Sequence, residues 1–197
     1  MDSTGAHRPE PHEVACLRGG PRAAVTVAVL ALRLRGAVGP AWGGALLRAT
    51  GPVGGTGADR GADAVPPLSA AVHEALRTPA DLRDLMVREG VALALIDLRY
   101  ELTLAGLTRI RLPGRTRAGR RALRSLRQRH PLPEGPGGLT PGDRLLAVAL
   151  YGDRALTRLM PRFAHEGGLT GRRGRPARRE RGSSWDGGAG GFGCGTG

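Results

Sequence analysis

Residues 21–36, "PRAAVTVAVLALRLRG", constrain this chain more than any other stretch. Pro21 suits the first position of a helix, where the missing N–H would have no partner, and Gly36 suits the residue just past its end. From Ala23 to Leu32 only Thr26 is polar. A helix that is apolar all round needs neighbours on every side, so the segment predicts a multi-helix domain with this helix at its centre. Val25, Thr26, Val27 and Val29 would also suit a strand, but the length and the Pro/Gly bracket favour the helix.

Composition says what such a core is made of. The chain is 40% hydrophobic but only 3% aromatic, so Leu, Val and Ala must fill it, and Leu and Ala are strong helix formers. A length of 197 residues fits one domain. The expected fold class is mostly α: about seven helices, with one small β-hairpin. Residues 1–9 and 170–197 read as disordered ends, and 10–169 as the helical domain. The tail runs from "GRRGRPARRERG" into glycine-rich sequence with too little apolar content to offset the entropy of ordering.

Start and stop signals place the remaining elements. "EPHEVACLRGG" reads as a short helix stopped at Gly19–Gly20, and "AVGPAWGGALLRATG" as the hairpin. "GPVGGTGADRGADAVPP" is loop by composition. "LSAAVHEALR" is helical. In "TPADLRDLMVREG", Thr78 is the expected cap, Pro79 the first helical residue and Gly90 the terminator, with Leu82, Leu85 and Met86 on one face. "VALALIDLRYELTLAG" predicts a helix ended by Gly106, and "LTRIRL" a short strand. Thr116 caps a helix running to Pro131, with Ala122, Leu123 and Leu126 as its apolar stripe. Thr140, Pro141 and Asp143 form a capping-box pattern. The last helix, "DRALTRLMPRFAHEGG", carries a break at Pro161.

The net charge is +13 with no lysine, so every one of the 30 basic residues is Arg. Asn is absent and Gly reaches 33, a pattern that tracks a GC-rich genome, so the arginine excess is partly codon bias. That weakens the usual inference from basic charge to nucleic acid. Two basic regions still stand out as anion-binding candidates. One is the helix of Arg117, Arg120, Arg121, Arg124 and Arg127. The other is the tail run of Arg172, Arg173, Arg175, Arg178, Arg179 and Arg181, opposed only by Glu180.

Catalytic, metal and cofactor signatures are not found. His7, His12, His73, His130 and His165 have no metal-ligand spacing and read as exposed or capping histidines. No serine sits in a nucleophile-elbow context. "GPVGGTG" lacks the Lys-Ser/Thr of a phosphate loop. Asp81, Asp84 and Glu89 read as partners of Arg83 and Arg88 on a solvated face. Cys16 falls in an apolar helix and reads as a buried thiol. Cys194 lies in "GGFGCGTG" and reads as exposed, a candidate for modification or crosslinking. The longest apolar runs, 23–32 and 91–96, are too short for a membrane span, and residues 1–13 are too polar for a signal peptide. The expected location is cytoplasmic, with membrane association as the alternative.

Four stretches together resemble one family: "EVACLRGGPRAAVTVAVLALRLRGAV", "RTRAGRRALRSLRQRHPLP", "LTPGDRLLAVALYGDRALTRLMPRF" and the glycine tract holding Cys194. They are similar to the bacterial, actinobacterial-type domain of unknown function found near an uncomplexed-cysteine, Gly-rich C-terminal motif. The resemblance implies a domain over about 10–169 followed by a Gly/Cys tail, and it implies no catalytic residue. Many relatives carry membrane segments; the corresponding "VALALIDLRYELTLAGLTRIRLPG" is too short and too charged to span. A weaker, fold-level similarity links "AVLALRLRGAV", the hairpin and "DLRDLMVREGV" to the Golgi phosphoprotein family, helical proteins that bind phosphoinositide headgroups. The residues that grip the phosphate in that family have no counterparts in this sequence.

Three readings of function follow. The first is a non-enzymatic scaffold or interaction domain for an unknown protein partner. The second is a peripheral binder of anionic lipid through the two Arg-rich segments. The third is a helical DNA-binding protein. The sequence leaves the oligomeric state open.

Overall fold

The computed structural model describes residues 9–41, 46–53, 65–109 and 114–169. The expected disorder of 170–197 and of residues 1–8 lies outside them, as does most of the glycine-rich loop. Within them the chain is mostly helical, with one small two-stranded antiparallel sheet.

The structure opens with α1 (Pro11–Gly19), whose entry is a reciprocal cap. The Glu10 side chain accepts from the backbone N–H of Glu13, and the Glu10 N–H donates to Glu13 Oε2 at 2.7 Å. Gly20, at φ 75°, ends α1 and starts α2 (Pro21–Leu34), a corner that a residue with a Cβ adopts only with strain. The central position expected for α2 is where it lies. Residues 24–30 and Leu32 are buried, packed by α1, α3 (Pro67–Ala75), α4 (Leu82–Val87) and α7 (Pro141–Tyr151). α1 shares that position: all six residues from His12 to Leu17 are buried.

The hairpin is β1 (Val38–Pro40) against β2 (Leu47–Ala49), with Val38 opposite Ala49 and Pro40 opposite Leu47. A third stretch joins its edge. Leu47 and Ala80 exchange backbone hydrogen bonds of 2.9 and 3.0 Å, and Ala49 N–H donates to the Leu76 carbonyl at 2.8 Å. This pairing corrects the expectation for Thr78 and Pro79. Held extended through Ala80, the chain starts α4 only at Leu82, and the cap is Asp81, whose Oδ1 accepts from the N–H groups of Arg83 and Asp84 at 2.7 Å each. Gly90 is no terminator either. The helix breaks at Arg88 (ψ 129°), and Gly90 sits inside α5 (Glu89–Leu104).

Gly106 follows α5 at φ 68°. The expected strand in "LTRIRL" is, among the described residues, a single antiparallel bridge between Thr108 and Arg115. Next come α6 (Arg117–Arg129), α7, α8 (Asp153–Leu159) and α9 (Pro161–Glu166). The Thr140–Asp143 capping box forms in both directions, and Pro161 does break the last helix. Leu, Val and Ala make up the core, with Cys16 and Phe163 among them.

Candidate functional site

α6 carries the clearest chemical asymmetry on the surface. Thr116 caps it, accepting from Gly119 N–H at 3.0 Å, while its own hydroxyl donates to the Gly106 carbonyl at 2.7 Å. Gly119, Leu123 and Leu126 are its buried residues. Gly119 is the closest approach: a Cβ there would collide with the Leu107 carbonyl oxygen and meet Leu17 Cδ1 at 3.1 Å. With its apolar stripe turned inward, α6 presents Arg117, Arg120, Arg121 and Arg124 on the other side, and all four are exposed. At 3.6 residues per turn they fall within an arc of about 100°. No Asp or Glu occurs in α6.

Arg127 stands apart from that face. Its Nε and Nη2 donate to the Leu150 carbonyl at 3.3 and 3.0 Å, and its guanidinium lies 5.8 Å from the Tyr151 ring centre. The Tyr151 hydroxyl in turn donates to the His130 carbonyl at 2.8 Å. Arg127 therefore pins the end of α6 onto α7.

The N-terminal end of α6 borders a cleft of about 280 Å³ among α1, the start of α2, α5 and the bridge that precedes α6. Arg18, Arg99, Arg109 and Arg115 line it, and among the described residues no carboxylate does. Cys16 lies in its wall. Burial pushes the Cys16 thiol up to about 11, with Arg99 pulling the other way, so at neutral pH it is a protonated, apolar wall element. The expectation of a buried Cys16 agrees with this.

A second cleft, about 290 Å³, has an apolar floor of Val27, Ala28, Leu32 and Leu145, with Glu10, His12 and Ser69 at its polar side. His12 departs from the expectation of exposed or capping histidines: it is 9% exposed. It lies in α1, which is covered on both sides, and its Nε2 is 3.2 Å from Glu10 Oε2. Burial lowers its proton affinity, opposed by Glu10, Glu13 and Glu101. Ser69, on the same side of this cleft, is also buried. His73 Nε2 bonds the Gly51 carbonyl at 2.8 Å, and His165 is exposed on α9. Among the described residues no three His, Cys, Asp or Glu gather as a metal-binding set. No helix among them is long and apolar enough to cross a membrane.

Of the anion-binding candidates, the four on α6 share one face. Arg172, Arg173, Arg178, Arg179 and Cys194 lie outside the described residues. Sequence reasoning missed the Arg-lined cleft, because its arginines come from three separate segments that only the fold brings together. No family model, curated protein or solved structure matches the chain.

Proposed function

We propose that this protein is a non-enzymatic interaction domain that docks on anionic membrane surfaces through the outer face of α6. One observation carries the reading: four exposed arginines on a single helical face, in a helix without acidic residues whose apolar stripe is already covered by the domain. Such a face has no packing role left to fill. Each Arg held near an anionic surface contributes about 1 kcal/mol, and the attraction weakens with ionic strength. The DNA-binding reading has less support. A short helix, a second helix and a hairpin would make α2 the helix that enters a DNA groove, and α2 is buried along most of its length.

Sedimentation with phosphatidylcholine vesicles containing phosphatidylserine tests the proposal. The expected result is binding at low salt that falls with added salt and is largely lost when Arg117, Arg120, Arg121 and Arg124 are replaced by Gln. A parallel variant with Arg172, Arg173, Arg178 and Arg179 replaced by Gln measures what the tail adds. Absence of wild-type binding at low salt overturns the reading.

A further inference from the structure

We propose that the cleft lined by Arg18, Arg99, Arg109 and Arg115 is a binding site for a small phosphate-type oxyanion carrying at least two negative charges. Arginines from α1, α5 and the two arms of the bridge before α6 line it, and Arg115 acts on Arg18 as a like charge. The cleft is separate from the α6 face and shares no arginine with it.

The backbone that carries these arginines is tied down. Thr108 pairs with Arg115, and Arg109 N–H donates to the Gly114 carbonyl at 3.2 Å. The Thr108 and Thr103 hydroxyls are bonded at 2.9 Å, and Arg120 Nη1 donates to the Arg115 carbonyl at 3.1 Å. Arg18 is held at the end of α7: its Nε donates to the Ala149 carbonyl at 2.7 Å and its guanidinium packs against Gly152, so it borders the cleft while Arg99, Arg109 and Arg115 are left to meet a ligand. Guanidiniums on anchored supports lose less entropy on engaging a ligand than arginines free in solvent.

The electrostatics ask for an anion. Burial lowers the proton affinity of Arg18; Asp153 opposes that, while Arg127 and Arg115 add to it. Asp153 lines the neighbouring cleft with Arg18, not this one. Like charges brought together repel one another, and among the described residues no carboxylate lines this cleft. A multiply charged oxyanion removes that repulsion, and planar guanidiniums bind such groups in a two-pronged fashion. The volume of about 280 Å³ sits at the small end of ligand pockets and suits a phosphate ester or a pyrophosphate group.

The test uses the full chain, labelled with ¹⁵N and titrated with sodium pyrophosphate at constant ionic strength. Expected are saturable amide shifts centred on Gly20, Thr108 and Gly114. The Arg109→Gln/Arg115→Gln variant should bind at least tenfold more weakly, whereas Arg121→Gln/Arg124→Gln should bind like the wild type. Arg109 and Arg115 are exposed, so a wild-type thermal midpoint is expected for the variant and serves as its folding control. A second arm replaces pyrophosphate with phosphatidylcholine vesicles with or without phosphatidic acid. Saturation by soluble pyrophosphate assigns a free ligand. Shifts at the same three amides with phosphatidic acid vesicles alone assign a lipid headgroup. No shift at those amides in either arm, or equal weakening in the α6 variant, overturns the proposal. Because the two sites share no arginine, a failure here leaves the α6 reading standing, and a failure of vesicle binding through α6 leaves this one standing.

Discussion

α2 and α5 are both rich in Leu, Val and Ala, yet they occupy opposite kinds of environment. α2 is buried on every side. α5 buries Val91, Leu95, Leu98 and Leu102 along one stripe. On the opposite side Leu93, Ile96, Tyr100 and Leu104 are 55%, 61%, 63% and 70% exposed. Hydropathy reports what a helix contains; burial depends on what surrounds it. α2 has α1, α3, α4 and α7 around it, whereas α5 is packed by α1, α3 and α4. The difference therefore comes from where each helix falls in the packing order.

The largest effect expected from this contrast is at Leu30, which is fully buried in α2. Leu30→Ala should cost about 2–5 kcal/mol, the range for a leucine truncated where neighbours cannot collapse into the gap. Chemical denaturation with an unchanged m-value would measure it. A change below about 1 kcal/mol would mean that α2 is not the centre of the core. Leu98→Ala on the inner stripe of α5 should fall in the lower half of the same range, because Leu98 is 4% exposed and its helix is enclosed from fewer directions. Equal losses at Leu30 and Leu98 would remove the distinction between the two helices on their inner sides.

α5 also reaches the α1 side of the core through Arg99, which acts on the Cys16 thiol. The folded thiol titrates at about 11 against an ordinary 9.0. Below pH 9 both states hold the proton and stability is unaffected. Between about 9 and 11 the unfolded chain releases its proton while the fold retains it, so stability falls as pH rises. A shift of that size corresponds to a loss of up to about 3 kcal/mol. The difference between wild type and Cys16→Ala across that window isolates the thiol from other groups. Arg99→Gln should steepen the decline, since it removes the charge that favours the thiolate. A flat difference curve would place Cys16 in contact with water.

Much of this architecture is legible in the sequence, because the signals concerned are local. Pro21 and Gly36 bracket α2, Thr116 caps α6, and Thr140 with Asp143 caps α7; each is a residue acting within four positions of its effect. The errors arise where distant segments intervene. Thr78 and Pro79 carry a good helix-start pattern, but Ala80 is held by Leu47, more than thirty positions away, and the helix waits for Asp81. His12 carries no sign of burial, because the cover over α1 comes from later helices. The same holds for the sites. The basic face of α6 is a local periodicity and could be read directly. The Arg-lined cleft joins residue 18 to residues 99, 109 and 115, and the glycine that seats α6, Gly119, meets a carbonyl twelve residues earlier in the chain.

The smallest effect should come from the outer side of α5, where a large loss would contradict the contrast with α2. Leu93 and Leu104 are more than half exposed and lie on the side of α5 opposite its buried stripe. Truncating such a side chain removes little buried area, and surface changes of this kind stay within about 0.5 kcal/mol. Leu93→Gln and Leu104→Gln should therefore unfold at nearly the wild-type denaturant midpoint. Gln is nearly as good a helix former as Leu, so propensity does not mask the result. A loss of more than about 1.5 kcal/mol for either change would mean that something in solution covers this face. The outer stripe of α5 would then be as enclosed as α2, and the asymmetry between the two helices would disappear.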